Sequence, residues 1–241
     1  MIRIEDLHKR FGDVVAVDGI GFEAPDGQVT GLLGPNGAGK TTTLRMLYGL
    51  MRPDGGRIEV DGAEVSAEPQ AAQAKMGILP DSRGLYPRLT PREHLRYFGQ
   101  LHGCADLDAR IDELVQLLDM GAIADRRSEG FSQGERVKTA LGRALVHDPA
   151  NVILDEPTNG LDVMATRAMR GLIRRMREEG KCVLFSSHIM QEVSALCDRI
   201  IIISTGRIVA AGTPDELREP SGRDNLEDAF GTLTGLDEEN T

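Results

Sequence analysis

The run Gly34-Pro35-Asn36-Gly37-Ala38-Gly39-Lys40-Thr41 constrains this chain more than any other segment. It matches the glycine-rich phosphate-binding loop, two fixed glycines followed by lysine and a hydroxyl residue. It follows a short apolar strand, Gln28 to Leu33. It opens a helical pattern from Thr41 to Met51 that carries Leu44, Leu47 and Met51 on one face. Glycines at these positions let backbone N–H groups curl around phosphate, and the helix N-terminus adds its positive dipole. Lys40 is predicted to reach the β- and γ-phosphates of a nucleotide and the Thr41 hydroxyl to take a position on Mg²⁺, with Thr42 in the same turn. A plain glycine turn with a surface lysine is the weaker reading, because it leaves the flanking strand and helix unexplained.

Around this loop the chain alternates strand and helix patterns, which predicts an α/β fold. Ile2, Ile4 and Leu7 open one strand. Val14 to Val17 and Ile20 to Phe22 make another, broken at Asp18-Gly19. Arg57 to Val60 is a strand after the stop Pro53-Asp54-Gly55-Gly56. Between about 85 and 145 the helical period dominates, as in Ile111, Leu114, Val115, Leu117 and Leu118, and this block reads as a helical insertion in an α/β core. Asn151 to Leu154 and Lys181 to Ser186 are buried strands. Met164 to Glu179 is a helix ending at Gly180, and Ile189 to Leu196 is another. Ile200 to Ile203 and Arg207 to Ala211 flank Ser204-Thr205-Gly206 as a hairpin. No internal repeat is present, and Asp237-Glu238-Glu239 reads as a solvated acidic tail.

Composition narrows the function. Lys and Arg number 28 against 38 Asp and Glu, a net charge of −10. That balance argues against a partner held through nucleic-acid phosphates. The longest aliphatic stretch, Ile200 to Ile203, falls far below the roughly 18 residues of a spanning helix. The first residues show no apolar secretory segment. Cys104, Cys182 and Cys197 are isolated and odd in number, which fits a reducing cytosol without a disulfide framework. The expectation is a soluble, cytosolic protein whose membrane contacts are made through a partner.

Two further motifs carry chemistry. Asp155-Glu156 ends a buried strand downstream of the loop, where Asp155 suits a metal and Glu156 suits a general base or the positioning of water. Phe131-Ser132-Gln133-Gly134-Glu135 precedes a helix. Ser132 and Glu135 have capping-box spacing, and the same helix start makes an anion site. Other polar groups have plain readings. His102 and Cys104 lack further metal ligands, His147 at a helix end stopped by Asp148-Pro149 suits the dipole there, and Cys182 and Cys197 read as core.

Taken in order, the phosphate loop, Phe131 to Glu135, Asp155-Glu156, Asn159-Gly160-Leu161-Asp162 and Ser187-His188 resemble an ABC-transporter ATPase subunit across residues 2 to 217. The resemblance implies a P-loop NTPase (RecA-like) core with an antiparallel β-subdomain and an inserted α-helical subdomain. It implies an ATPase domain over 1–217 and a C-terminal extension over 218–241. It makes Ser132, Gln133, Gly134 and Glu135 a signature loop, Asp162 part of the loop that meets a facing subunit, His188 the sensor of the γ-phosphate, and Phe11 the ring that stacks on adenine. Asp81 stands where the family usually has glutamine. A carboxylate there is expected to point away from the γ-phosphate or to approach it through Mg²⁺. Two chains, taken as copies of one another, would close over two MgATP and drive a separately encoded multi-span membrane permease from the cytoplasmic face. The stretch 83–90 is most similar to that of sodium-extruding pumps, with export of a drug, lipid or polysaccharide as alternatives. A soluble ATPase acting on ribosomes or DNA and a non-hydrolysing regulatory module are the rivals from other classes.

Overall fold

The computed structural model describes residues 1–82 and 84–218. The acidic tail therefore lies outside the described residues, as does Arg83. In chain order the elements are β1 (Ile2–Phe11), β2 (Val14–Ala24), β3 (Val29–Leu33), α1 (Lys40–Leu47), β4 (Gly55–Val60), β5 (Ala63–Glu64), α2 (Pro69–Gln73) and β6 (Met76–Leu79). Then come α3 (Pro91–Leu101), α4 (Leu107–Leu117), α5 (Gln133–Leu145), β7 (Asn151–Asp155) and α6 (Val163–Glu178). The order closes with β8 (Cys182–Ser187), α7 (Met190–Leu196), β9 (Arg199–Ser204), β10 (Arg207–Gly212) and α8 (Pro214–Arg218).

The strands form two sheets. One is antiparallel, in the order β2-β1-β4-β5. The other runs β10-β9-β3-β8-β7-β6, parallel except for the edge strand β10. The parallel strands are apolar throughout because both faces are covered. Their alternation sorts them: Val152, Leu154, Val183, Phe185, Ile200 and Ile202 pack into a core shared with α3 to α7. Ile153, Cys182, Leu184, Ile201 and Ile203 point the other way, into a core shared with the antiparallel sheet and α1. Each such side chain contributes about 1.5–3 kcal/mol by leaving water. Helices α3, α4 and α5 lie between β6 and β7, which are hydrogen-bonded neighbours, so the chain leaves the sheet and returns beside its own departure point.

Local differences from the sequence reading have identifiable causes. The helix predicted to reach Met51 ends at Leu47. Gly49 takes φ 70°, its N–H donates to Met46 O, and the Leu50 N–H donates to Arg45 O, a Schellman closure that glycine makes without strain. Gly180 closes α6 in the same way, with φ 82° and hydrogen bonds to Arg177 O and from Lys181 N to Met176 O. Asp18-Gly19 does not break the second strand. It sits beside a register shift inside a continuous β2, with Gly19 at φ 74°.

Candidate functional site

Four parallel strands deliver the site. Leu33 of β3 lies in register with Ser187 of β8, Asp155 of β7 with Ser186, and Leu79 of β6 with Leu154. The segments that follow their carboxyl ends carry the phosphate loop, His188, Glu156 and Asp81. They meet along one sheet edge, where open α/β sheets bind ligands. The cleft there has a volume of about 440 Å³ and is lined by Asn36 to Thr42, Asp81, Glu156, Asn159 and His188, with Ala16 of β2 closing one side.

Sterics fix the loop. A Cβ on Gly34 would stand 2.3 Å from Ile203 O, and one on Gly39, at φ 106°, would stand 2.5 Å from Ala16 O. The turn after β9 braces it: the Gly206 N–H donates to Ala38 O at 2.9 Å, and the Asp18 N–H donates to Gly206 O at 2.8 Å. Gly39 caps α1 without a side-chain hydrogen bond, which leaves the first N–H groups of the helix to an anion. Lys40 is 5% exposed. Its ammonium donates to Gly34 O at 2.6 Å and Pro35 O at 3.1 Å, and lies 3.8 Å from Glu156 Oε1. Burial pushes its pKa down, against the pull of Glu156 and Asp155.

The carboxylates are organised from behind. Asp155 is buried, and burial lifts its pKa. A hydrogen bond from Ser186 opposes that shift and the charge of Asp81 adds to it. Glu156 takes φ 48°, a strained conformation for a residue with a Cβ. Its N–H donates to Ser186 Oγ at 3.0 Å, and its Oε2 accepts from His188 Nδ1 at 2.9 Å. The Thr41 hydroxyl and the Asp155 and Asp81 carboxylates are the hard oxygen donors that suit Mg²⁺. Among the described residues no group of three or more His, Cys, Asp or Glu side chains is arranged to hold a metal ion.

Other predicted residues stand apart. The capping box is present: Ser132 Oγ accepts from the Glu135 N–H at 3.3 Å, the Ser132 N–H donates to Glu135 Oε2 at 2.8 Å, and Arg126 pairs with Glu135. Asp162 caps α6 by accepting from the Ala165 N–H at 2.8 Å. Gln133 packs against Gly160, which brings these two segments together beside Asn159, and none of Ser132, Gln133, Glu135 and Asp162 lines the cleft. Phe11 ends β1, 48% exposed and outside the lining residues, with the Lys9 ammonium 5.8 Å from its ring centre. His147 departs from the expectation of a cation at a helix end. Burial and the His102 ring, stacked at 3.8 Å, push its pKa down to about 4, and its Nε2 donates to Met76 O at 3.1 Å. Sequence reasoning passed over Ala16, Asn159 and Ser186 as site residues. Only Asn159 had a signal, in the run Asn159 to Asp162.

A family model described as ABC transporter matches residues 17–159, more than half of the 241. This chain belongs to the ABC transporter family. Its fold is that of the family's ATPase cassette. It is similar to the ABC transporter ATP-binding protein NatA of Bacillus subtilis (strain 168), 41% identical over 237 residues that cover 95% of this chain and 96% of NatA. The Linearmycin resistance ATP-binding protein LnrL of the same organism is 37% identical over 99% of this chain and 76% of its own length. The Nod factor export ATP-binding protein I of Burkholderia lata is 40% identical over 90% of this chain and 72% of its own. A solved ATP-binding subunit of an ABC transporter superposes with a TM-score of 0.90 at 28% identity, over 97% of this chain and 99% of that one. A dimeric bacterial ABC transporter cassette shares the fold, with a TM-score of 0.80 at 23% identity over 89% of this chain and 99% of that one.

Proposed function

We propose that this ABC ATPase is the motor subunit of an exporter. In this reading two copies close over two MgATP and drive a separately encoded multi-span permease. The observation that carries it is the cleft that gathers the phosphate loop, Lys40, Glu156 and His188, the last two joined by a 2.9 Å hydrogen bond.

Lys40 leaves the carbonyls of Gly34 and Pro35 for the β- and γ-phosphates, and the free N–H groups of the loop and α1 hold the remaining oxygens. Mg²⁺, when bound, neutralises phosphate charge, and Thr41, Asp155 and Asp81 are the groups that would hold it. Glu156 orients the attacking water and accepts its proton, while His188 fixes the carboxylate and faces the γ-phosphate. Ser132, Gln133, Gly134 and Glu135, with Asp162, form the surface offered to the nucleotide of the second copy. Phe11 is assigned to the adenine. Residues 1–217 are the working cassette, with the helical subdomain over about 85–145.

Export as the direction is supported by relatives whose names specify Nod factor export and drug resistance. Na⁺ is the cargo favoured by the likeness of residues 83–90, with a drug, lipid or polysaccharide as the alternatives. A peripheral place on the cytoplasmic membrane face is in keeping with the described residues, in which no helix is long and apolar enough to cross a membrane.

The test is Glu156→Gln. Phosphate release by the variant should fall about 100-fold or more, the scale of a lost general base. The variant should also run as a dimer on a sizing column with MgATP and co-purify from detergent-solubilised cells with a multi-span membrane protein. A variant that stays monomeric with MgATP overturns the two-copy closure. Recovery of ribosomal or DNA-bound factors without a permease overturns transport.

A further inference from the structure

Glu192 lies on α7, one turn past His188, and its carboxylate is 4% exposed and outside the cleft lining. Its Oε2 accepts a 2.6 Å hydrogen bond from the Thr158 hydroxyl and stands 3.4 Å from the Ser187 hydroxyl. The Ser187 oxygen in turn accepts from the Ile189 N–H at 3.0 Å, which leaves its proton for Glu192. The other oxygen, Oε1, is 3.5 Å from Arg170 Nη2 on α6. Thr158 comes two residues after Glu156, Ser187 comes directly before His188, and α6 is the helix capped by Asp162. One buried carboxylate therefore grips the three segments that carry Glu156, His188 and Asp162.

Stability alone does not call for this arrangement. A buried carboxylate is costly to desolvate, and its cation here is long and partly open to water, so an apolar side chain of the same size would serve the packing at least as well. What an apolar side chain would not do is hydrogen-bond Thr158 and Ser187 at once and so tie the segments after β7 and β8 beyond the end of their ladder. Glu156 needs that tie, because its strained backbone and its bond to His188 hold only while both strand ends stay in register.

We propose that Glu192 is a positioning residue for ATP hydrolysis, which keeps Glu156 and His188 within hydrogen-bond reach and links both to α6 through Arg170. The proposal rests on the ATPase reading of the cleft, and its test is built to fail separately from that reading. In the full-length chain, Glu192→Leu should lower kcat about tenfold or more while KM for ATP stays within about twofold, since the phosphate loop is untouched. Glu192→Gln keeps an oxygen for the Thr158 hydroxyl and should recover kcat to within about threefold of the parent. Without nucleotide, amide hydrogen exchange over residues 156–162 and 188–190 should quicken about tenfold in Glu192→Leu, with the amides of β7 and β8 unchanged.

If the parent turns over ATP and Glu192→Leu does so equally well, the positioning role is wrong. It is also wrong if Glu192→Gln is as impaired as Glu192→Leu, or if protection falls evenly along the chain. A parent that releases no phosphate would sink the ATPase reading. The exchange pattern would then decide the link by itself, local quickening supporting it and no quickening overturning it.

Discussion

The Ser186 hydroxyl donates to Asp155 Oδ1 at 2.6 Å, and in doing so it fixes the carboxylate assigned to the metal from a neighbouring strand. The same oxygen accepts from the Glu156 N–H at 3.0 Å, so one fully buried hydroxyl serves both acidic residues of the pair. The parallel register of β7 and β8 sets Asp155 opposite Ser186 and makes the contact possible.

Removing that hydroxyl leaves a buried carboxylate and a buried N–H without their partner. Ser186→Ala should cost about 2 kcal/mol in urea unfolding, within the range for orphaned buried polar groups. It should also lower ATPase kcat about tenfold, because Glu156 loses the bond that steadies its strained backbone. Ser186→Thr keeps the hydroxyl and should restore most of the rate. An alanine variant with unchanged unfolding midpoint and rate would mean that the backbone alone holds the pair.

Asp81 lines the cleft that must accept phosphate, and its charge helps to lift the pKa of Asp155, which is buried behind that lining. Like charges repel, by about 4 kcal/mol for a pair about 4 Å apart at an effective dielectric of 20 and by less at longer range, and a cation there offsets that repulsion. Asp81→Gln should therefore strengthen ATP binding in the presence of EDTA. The Mg²⁺ concentration for half-maximal hydrolysis should rise about fivefold, as one hard oxygen donor is lost. Titration of phosphate release with Mg²⁺ checks this, and an unchanged Mg²⁺ dependence would remove Asp81 from the metal site.

The parts of the site legible in the sequence are those whose spacing is local. The phosphate loop and Asp155-Glu156 each sit within one turn or one strand end, as does the Ser132/Glu135 box outside the cleft, and the unbroken apolar run Val152-Ile153-Leu154 already implies a strand covered on two faces. Ser186 and Glu192 were opaque for the opposite reason. Their partners lie some thirty residues away and are brought close only by the register of β7 and β8, so a buried serine and a helical glutamate look ordinary in the chain. Ala16 matters through its backbone carbonyl against Gly39, which no side-chain pattern announces. The end of α1 at Leu47 turned on Gly49, one glycine ahead of a stronger Pro-Asp-Gly-Gly stop.

His147 shows how burial overrides a helix-end rule and gives a pH dependence with a definite sign. Burial is the main cause of its low pKa of about 4, the stacked His102 ring and Arg110 push the same way, and the Met76 carbonyl and Asp148 push back. The unfolded chain has the ordinary value near 6.5, so between about pH 6.5 and 4 the unfolded state binds more protons than the folded one. Stability is therefore full above that window and is lost as pH falls through it. From pH 7 to pH 5 the full shift would remove about 2 kcal/mol, and solvent screening of this partly exposed ring brings the expected loss to about 1 kcal/mol. His147→Gln does not titrate, so its urea midpoint should fall less over the same interval. His102, whose pKa burial also holds down, remains in both proteins, and the difference between their slopes isolates His147. Equal slopes for the two proteins would mean that His147 titrates alike in the folded and unfolded chain, and a parent that falls less than His147→Gln would mean that the helix dipole keeps it charged.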